Sequence, residues 1–320
     1  MTCVSKSIDA GHSFPGSYSG HLMLLSLISH PDHMKTIVLL TDFSESGNHA
    51  VEYGYHLAKF LQLDVLLCNA IFVPVPVAEA GGFVWSVNGF DGLIEDSNEE
   101  LKRLKKHFEH TDHSSGFHPQ ISCVNQTGRL TDVLENVMGI CEVEMVVMGT
   151  HRTGLGHFLL ENNTRNMINS ATCPLLLVPP VANLSKVKKI AYATDFSYPE
   201  QDTKAIAQLV PLANAFGAEI LVTKVHTLHE ERADHRTGVN TILAKVKTQT
   251  SYPDIAYRPI ENEQVGIGLS LCCETENVDL LVMVHRSHDF VDIILKGSDT
   301  QKMAKHTTIP LLVLPVGHTS

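Results

Sequence analysis

The sequence predicts an α/β fold used twice: two tandem Rossmann-like domains, each an open five-stranded parallel sheet flanked by helices. Three observations predict it. Thr41-Asp42-Phe43-Ser44 recurs as Thr194-Asp195-Phe196-Ser197, closing apolar runs that open at Lys35-Thr36-Ile37 and Lys188-Lys189-Ile190. Cys173-Pro174-Leu175-Leu176-Leu177-Val178-Pro179 is matched by Ile309-Pro310-Leu311-Leu312-Val313-Leu314-Pro315. Between them, Glu144 to Met148 followed by His151-Arg152 is echoed by Asp279 to Met283 followed by His285-Arg286. Anchors repeated in the same order mark an internal duplication. Short, continuously apolar runs separated by amphipathic helices belong to parallel strands covered on both faces.

The elements of the first half follow in order. Lys35 to Leu40 reads as a buried strand, and Ser44 caps a helix with Ala50, Tyr53, Leu57 and Leu61 along one face. Leu63 to Phe72 is the second strand. Pro74, Pro76 and Gly81-Gly82 then break regular structure, and the stretch to about Glu95 reads as a long loop holding Trp85. Ser97-Asn98-Glu99-Glu100 reads as a capping box opening a helix with Leu101, Leu104 and Phe108 inward. Strand Ile121 to Val124, helix Leu130 to Ile140, strand Val143 to Met148, helix Phe158 to Ser170 and strand Leu175 to Val178 complete the half.

The second half repeats this order. Strand Val187 to Thr194 leads to a helix opened by Ser197-Tyr198-Pro199-Glu200, a second capping box, with Pro211 expected to kink it. Strand Ile220 to Val225, helix 230–248, strand 255–260, helix 264–275, strand Leu280 to Val284, helix 290–306 and strand Leu311 to Leu314 follow. The domains are expected at 34–180 and 187–320, joined by a linker at 181–186. Residues 1–33 have no counterpart in the second half and are expected to be a disordered extension. The apolar core Leu22 to Ile28 within them is short and poorly flanked for a secretion signal.

Composition bounds the function. The chain length suits about two domains of roughly 140 to 150 residues. A net charge of −11 argues against a nucleic-acid binder, whose affinity comes from clustered Lys and Arg. Seven cysteines without a Cys-x-x-Cys pair fit a reduced, cytoplasmic protein. No apolar run approaches the roughly 18 residues that span a bilayer, so no membrane partner is expected.

Open parallel sheets bind ligands beyond the carboxyl ends of their strands, where the strand order reverses. The loops after strands one and four therefore draw attention: Thr41-Asp42 and Gly149-Thr150-His151-Arg152-Thr153-Gly154-Leu155-Gly156 in half one. A glycine-rich turn before a helix brings backbone N–H groups and the helix dipole onto a phosphate. On these motifs and the Cys-Pro-Leu-Leu-Leu-Val finish, both halves resemble universal stress protein domains in tandem.

The resemblance implies a nucleotide site in which the first-strand Asp meets the adenine of ATP. A Gly-x2-Gly-x9-Gly-Ser/Thr loop holds phosphate and ribose. Carried onto this chain, it marks Thr41, Asp42, Gly149, Thr150, His151, Arg152 and Gly154 in half one. In half two it marks Thr194, Asp195, Gly297 and Ser298. Neither loop is intact: Arg152 stands where the second glycine belongs and Glu161-Asn162 replaces the final pair, while half two keeps Gly297-Ser298 but has Val284 and Ser287 in the earlier glycine places. ATP is thus expected at a degenerate site. The resemblance also implies that the fifth strands, Pro174 to Pro179 and Pro310 to Pro315, pair the domains as an intramolecular pseudo-dimer.

Plainer readings stand beside these. Asp42 and Asp195 accept backbone N–H groups in strand-to-helix turns, as short acidic side chains do. Arg152 and Arg286 are solvated, and Gly154 and Gly156 serve turn geometry. His107, His110 and His113, with His118, either face one side of a helix for zinc or are solvated side chains at its negative end. His226, His229 and Glu230 form a second such group; no metal is expected at either. The chain lacks a nucleophile-elbow sequence and is expected to be a non-enzymatic, stress-response binding protein. The alternatives are a nucleotide-free interaction scaffold, with the Pro74 to Asp96 loop as contact surface, and a weak ATP hydrolase. A homo-oligomer and an unidentified protein partner are compatible with each.

Overall fold

Continuous apolar runs become strands because both their faces are covered. A computed structural model describes residues 35–71, 88–150, 162–170, 172–183, 187–226, 233–286 and 309–315. The first half holds β1 (Thr36–Leu40), α1 (Glu45–Leu61), β2 (Asp64–Ile71), α2 (Asn88–Thr111), β3 (Ile121–Thr127), α3 (Leu130–Met138), β4 (Val143–Gly149), α4 (Asn162–Ser170) and β5 (Leu175–Val178). The second holds β6 (Lys189–Ala193), α5 (Pro199–Phe216), β7 (Glu219–His226), α6 (Ala233–Thr250), β8 (Ile255–Glu261), α7 (Val265–Thr275), β9 (Leu280–His285) and β10 (Leu311–Pro315). The expected helix at 290–306 lies outside the described residues, as do residues 1–33 and most of the Pro74 to Asp96 loop.

The strands form one sheet in the order β3-β2-β1-β4-β5-β10-β9-β6-β7-β8. Within each half every described pairing is parallel. The halves meet where β5 and β10 pair antiparallel, Leu177 with Leu311, Leu176 with Leu312 and Leu175 with Val313. Leu176 and Leu312 are the same position of the repeat, so a pseudo-twofold passes between them and the contact is isologous. Pairing hides two apolar edges that would otherwise recruit other chains. A single cluster of buried side chains runs through both halves as a result, from Ile37 and Leu39 to Leu312 and Leu314. Among the described residues, β3 and β8 are the outermost strands. The exposed Pro259 of β8 cannot donate to a further strand.

Helix ends obey local chemistry at α1 and depart from it at the starts of α2 and α5. Ser44 caps α1 by accepting from Gly47 N, and Gln62 ends it in the left-handed region. The capping box expected at Ser97 is not one, because α2 already begins at Asn88 and Ser97 lies in its interior. Its hydroxyl answers neighbouring strands instead, donating to Asn69 Oδ1 at 2.9 Å with Asn125 Oδ1 at 3.3 Å beside it. The loop after β2 is correspondingly shorter than expected. Ser197 does not cap α5 either: the N-cap is Tyr198, without a side-chain bond, and Pro199 takes the first turn. The Ser197 hydroxyl donates to Asp195 Oδ2 at 2.8 Å. Pro211, expected to bend this helix, lies inside it, and the helix runs on to Phe216.

Candidate functional site

β1 lies between β2 and β4, and β6 between β7 and β9, so the strand order reverses beside Thr41 and beside Thr194. The turns there are nearly superimposable in their bonding. Thr41 Oγ1 accepts from Phe43 N at 2.9 Å, and Asp42 Oδ1 accepts from Ser44 N at 3.0 Å and Ser44 Oγ at 2.5 Å. Thr194 Oγ1 accepts from Phe196 N at 3.0 Å, and Asp195 Oδ1 accepts from Ser197 N at 2.9 Å. Phe43 and Phe196 are left-handed, at φ 63° and 61°. That conformation costs a residue with a Cβ roughly 1–2 kcal/mol. Both turns accept it because the Thr and Asp side chains hold the two following N–H groups. The Asp-x-Ser spacing announces such a turn, but an aromatic residue gives no hint of positive φ.

In half one the described residues line the site with the Asp42 carboxylate and with hydroxyl and amide groups. A Cβ on Gly149 would lie 2.5 Å from the Ser46 carbonyl oxygen, so glycine lets the end of β4 meet the first turn of α1. Thr150 is buried, and its N–H and hydroxyl turn back to the Val178 carbonyl at 3.1 and 3.4 Å. Asn69 Nδ2 donates to the Thr41 carbonyl at 2.7 Å, tying β2 to the end of β1. Ser97, Asn98 and Asn125 extend that network, with Asn125 Nδ2 donating to Asn98 Oδ1 at 3.1 Å. His49 Nε2 is 3.0 Å from the Ala182 carbonyl, linking α1 to the segment between the halves.

In half two the same region is charged and filled. Asp202, on the first turn of α5, is 0% exposed. Its Oδ1 accepts from Tyr192 Oη at 2.6 Å, from Thr194 Oγ1 at 2.9 Å and from Arg286 Nη2. Arg286 Nη1 reaches Asp195 Oδ1 at 3.4 Å, and the Tyr198 ring lies 5.1 Å from the guanidinium carbon. Burial first, and then the Asp202 carboxylate, push the Tyr192 phenol far above its usual range. Asp202 Oδ2 and Arg286 Nε are buried without a hydrogen-bond partner among the described residues.

Of the residues expected in the site, the structure brings Thr41, Asp42, Gly149 and Thr150 together in half one, and Thr194 and Asp195 in half two. His151, Arg152, Gly154, Gly297 and Ser298 lie outside the described residues. Sequence reasoning missed Tyr192, Asp202, Asn69 and Ser97, and it read Arg286 as solvated, although this side chain is 13% exposed. The echo of His151-Arg152 by His285-Arg286 is also out of register. Ile37 pairs with Met145 and Ile190 with Leu280. Counting on from those pairs sets Val284 against Gly149, His285 against Thr150 and Arg286 against His151.

The histidine groups have local partners. His110 Nδ1 is 2.7 Å from the Lys106 carbonyl and His118 Nδ1 is 3.1 Å from Asp112 Oδ2. His226 Nε2 is 3.0 Å from Tyr257 Oη, while His229 and Glu230 lie outside the described residues. Among the described residues no group of three His, Cys, Asp or Glu could hold a metal ion, and no helix is long and apolar enough to cross a membrane.

Comparison with known proteins bears on the fold. A universal stress protein of Archaeoglobus fulgidus superposes over 88% of this chain and 98% of its own, at 14% identity and a TM-score of 0.68. A Pseudomonas aeruginosa protein described as functionally unknown does so over 88% and 93%, at 12% identity and a TM-score of 0.54. A universal stress protein in complex with cAMP matches 42% of this chain and 100% of its own at 16% identity, with a TM-score of 0.33 that is too low to bear on this site. No curated protein matches the chain. A model of the universal stress protein family matches residues 33–179 and 186–315. The chain therefore belongs to the universal stress protein family, with two of its domains in tandem.

Proposed function

We propose that this chain is a non-catalytic, cytoplasmic stress-response protein that binds an adenine nucleotide through its first domain. The observation that carries the reading is the Thr41-Asp42-Phe43-Ser44 turn. The turn recurs at Phe196, so what sets the first domain apart is that its Asp42 turn stands beside Gly149, where half two has the buried Val284. Asp42 would accept the adenine amino group, and the first turn of α1 would offer its dipole and N–H groups to a phosphate. Gly149 supports this by letting strand end and helix start approach. Among the described residues none beside Asp42 is an activated nucleophile, and turnover is not part of the reading.

The test is titration of the full chain with a fluorescent ATP analogue and magnesium. Saturable binding that is lost in Asp42→Ala, without ATP consumption, is the expected result. Failure to saturate rejects it in favour of a nucleotide-free interaction scaffold. That second reading draws on the filled cleft of the second domain, where Arg286 already engages Asp195.

A further inference from the structure

The duplication supplies an internal comparison. By strand register and turn alignment, Tyr192 stands where half one has Leu39, Asp202 where it has His49, Arg286 where it has His151 and Val284 where it has Gly149. Three of these four half-two residues, Tyr192, Asp202 and Arg286, touch one another in a single buried group. The change is therefore concerted: each new polar side chain is paired by another new one.

We propose that Arg286 is the built-in occupant of the second-domain cleft, closing that domain to nucleotide so that the chain has one nucleotide site. The guanidinium is planar and offers N–H donors to Asp195 while the Tyr198 ring lies over it. An adenine seeking the same carboxylate would present the same chemistry: a flat π-system with amino donors. A ligand must therefore displace Arg286. Expelling it leaves Asp202, 0% exposed, as a buried charge without its counterion. Breaking a buried pair in this way lowers the equilibrium for the open form on the order of a thousandfold.

A second, independent feature closes the phosphate side. Val284 is buried where half one has the glycine that admits the first turn of α1. The helix there, α5, starts one position later in the repeat, at Pro199, under an N-cap with no side-chain bond. Pro199 also removes one of the N–H donors that a helix start would offer an anion. Among the described residues, the carboxylate that would meet a base and the helix start that would meet a phosphate are thus both unfavourable to a nucleotide.

The inference shares the nucleotide reading of the first domain, and two measurements keep the outcomes apart. The first is equilibrium unfolding of the full chain, of Arg286→Ala, of Asp202→Asn and of the double variant. Each single change is expected to lower the folding constant at least tenfold, and the double by clearly less than the product of the two. Multiplicative effects, with coupling below about twofold, would overturn the pairing. Should Arg286→Ala fail to fold, Arg286→Lys replaces it in the same cycle. The second is the stoichiometry of the fluorescent ATP analogue on the wild-type chain. One equivalent or none agrees with a closed second domain, and none rejects only the first-domain reading; two equivalents overturn the proposal.

Discussion

Gly149→Ala tests the geometry on which the first-domain site depends. The added Cβ would sit 2.5 Å from the Ser46 carbonyl oxygen, 2.9 Å from the Ser46 carbonyl carbon and 3.2 Å from Gly47 Cα. Ordinary C···O approaches begin at about 3.3 Å, so strand end and helix start must part by roughly 0.8 Å. All three obstacles are backbone, and none can rotate away. Overpacking of this kind costs about 2–3 kcal/mol, which for a unit of this size lowers the melting temperature by about 4–12 °C. Gly54→Ala is the control, because there the obstacle is the tip of Leu39, a side chain. Combining it with Leu39→Val should recover part of the loss, whereas no side-chain change should rescue Gly149→Ala. The assay is thermal unfolding followed by circular dichroism, and a Gly149→Ala melting temperature within about 1 °C of wild type would refute the close approach.

Three further outcomes are expected. Asp112 accepts from Tyr55 at 2.8 Å, from Lys59 at 2.5 Å and from Ser114; burial alone would raise its carboxyl, but these donors hold it well below the carboxylate range. That stability is present above an unfolded value of about 3.9 and is lost as pH falls through the folded one. Asp112→Asn should therefore cost about 2 kcal/mol at pH 7 and flatten the acid limb of urea midpoints; a limb unchanged below about pH 4 would contradict this. Ser97→Ala strips a donor from Asn69 and should cost about 1–2 kcal/mol in urea unfolding; a variant as stable as wild type would contradict this. Burial pushes the Cys68 and Cys273 thiols up to about 12, so maleimide at pH 7.5 should label neither until denaturant is added, as mass spectrometry of digests would read.

How much of this was legible depends on the range of the interaction involved. The strands could be read because each is a continuous apolar run, and the Ser44 cap because its partner, Gly47, is one turn away. Ser97 and Ser197 carried the same local pattern and misled, because their hydroxyls are claimed by Asn69 and by Asp195. The Asp42 and Asp195 turns were half legible: Asp-x-Ser gives the Asx bond, but nothing in Phe43 or Phe196 gives the left-handed backbone. Arg286 looked like a surface arginine because its partners are distant in the chain, Asp195 and Asp202.

The sequence by itself determined the duplication, the parallel α/β class and the strand ends where a ligand would meet the chain, since periodicity and short-range bonding are written in neighbouring residues. The family resemblance already pointed to the fifth strands as the pairing segments, and the tertiary structure added their antiparallel direction and the register that sets Leu176 against Leu312. The tertiary structure alone decided that Arg286 enters the second cleft and pairs there with Asp195 and Asp202. Those outcomes turn on side chains that meet across the fold, and a buried charge declares its partner only once the chain has closed around it.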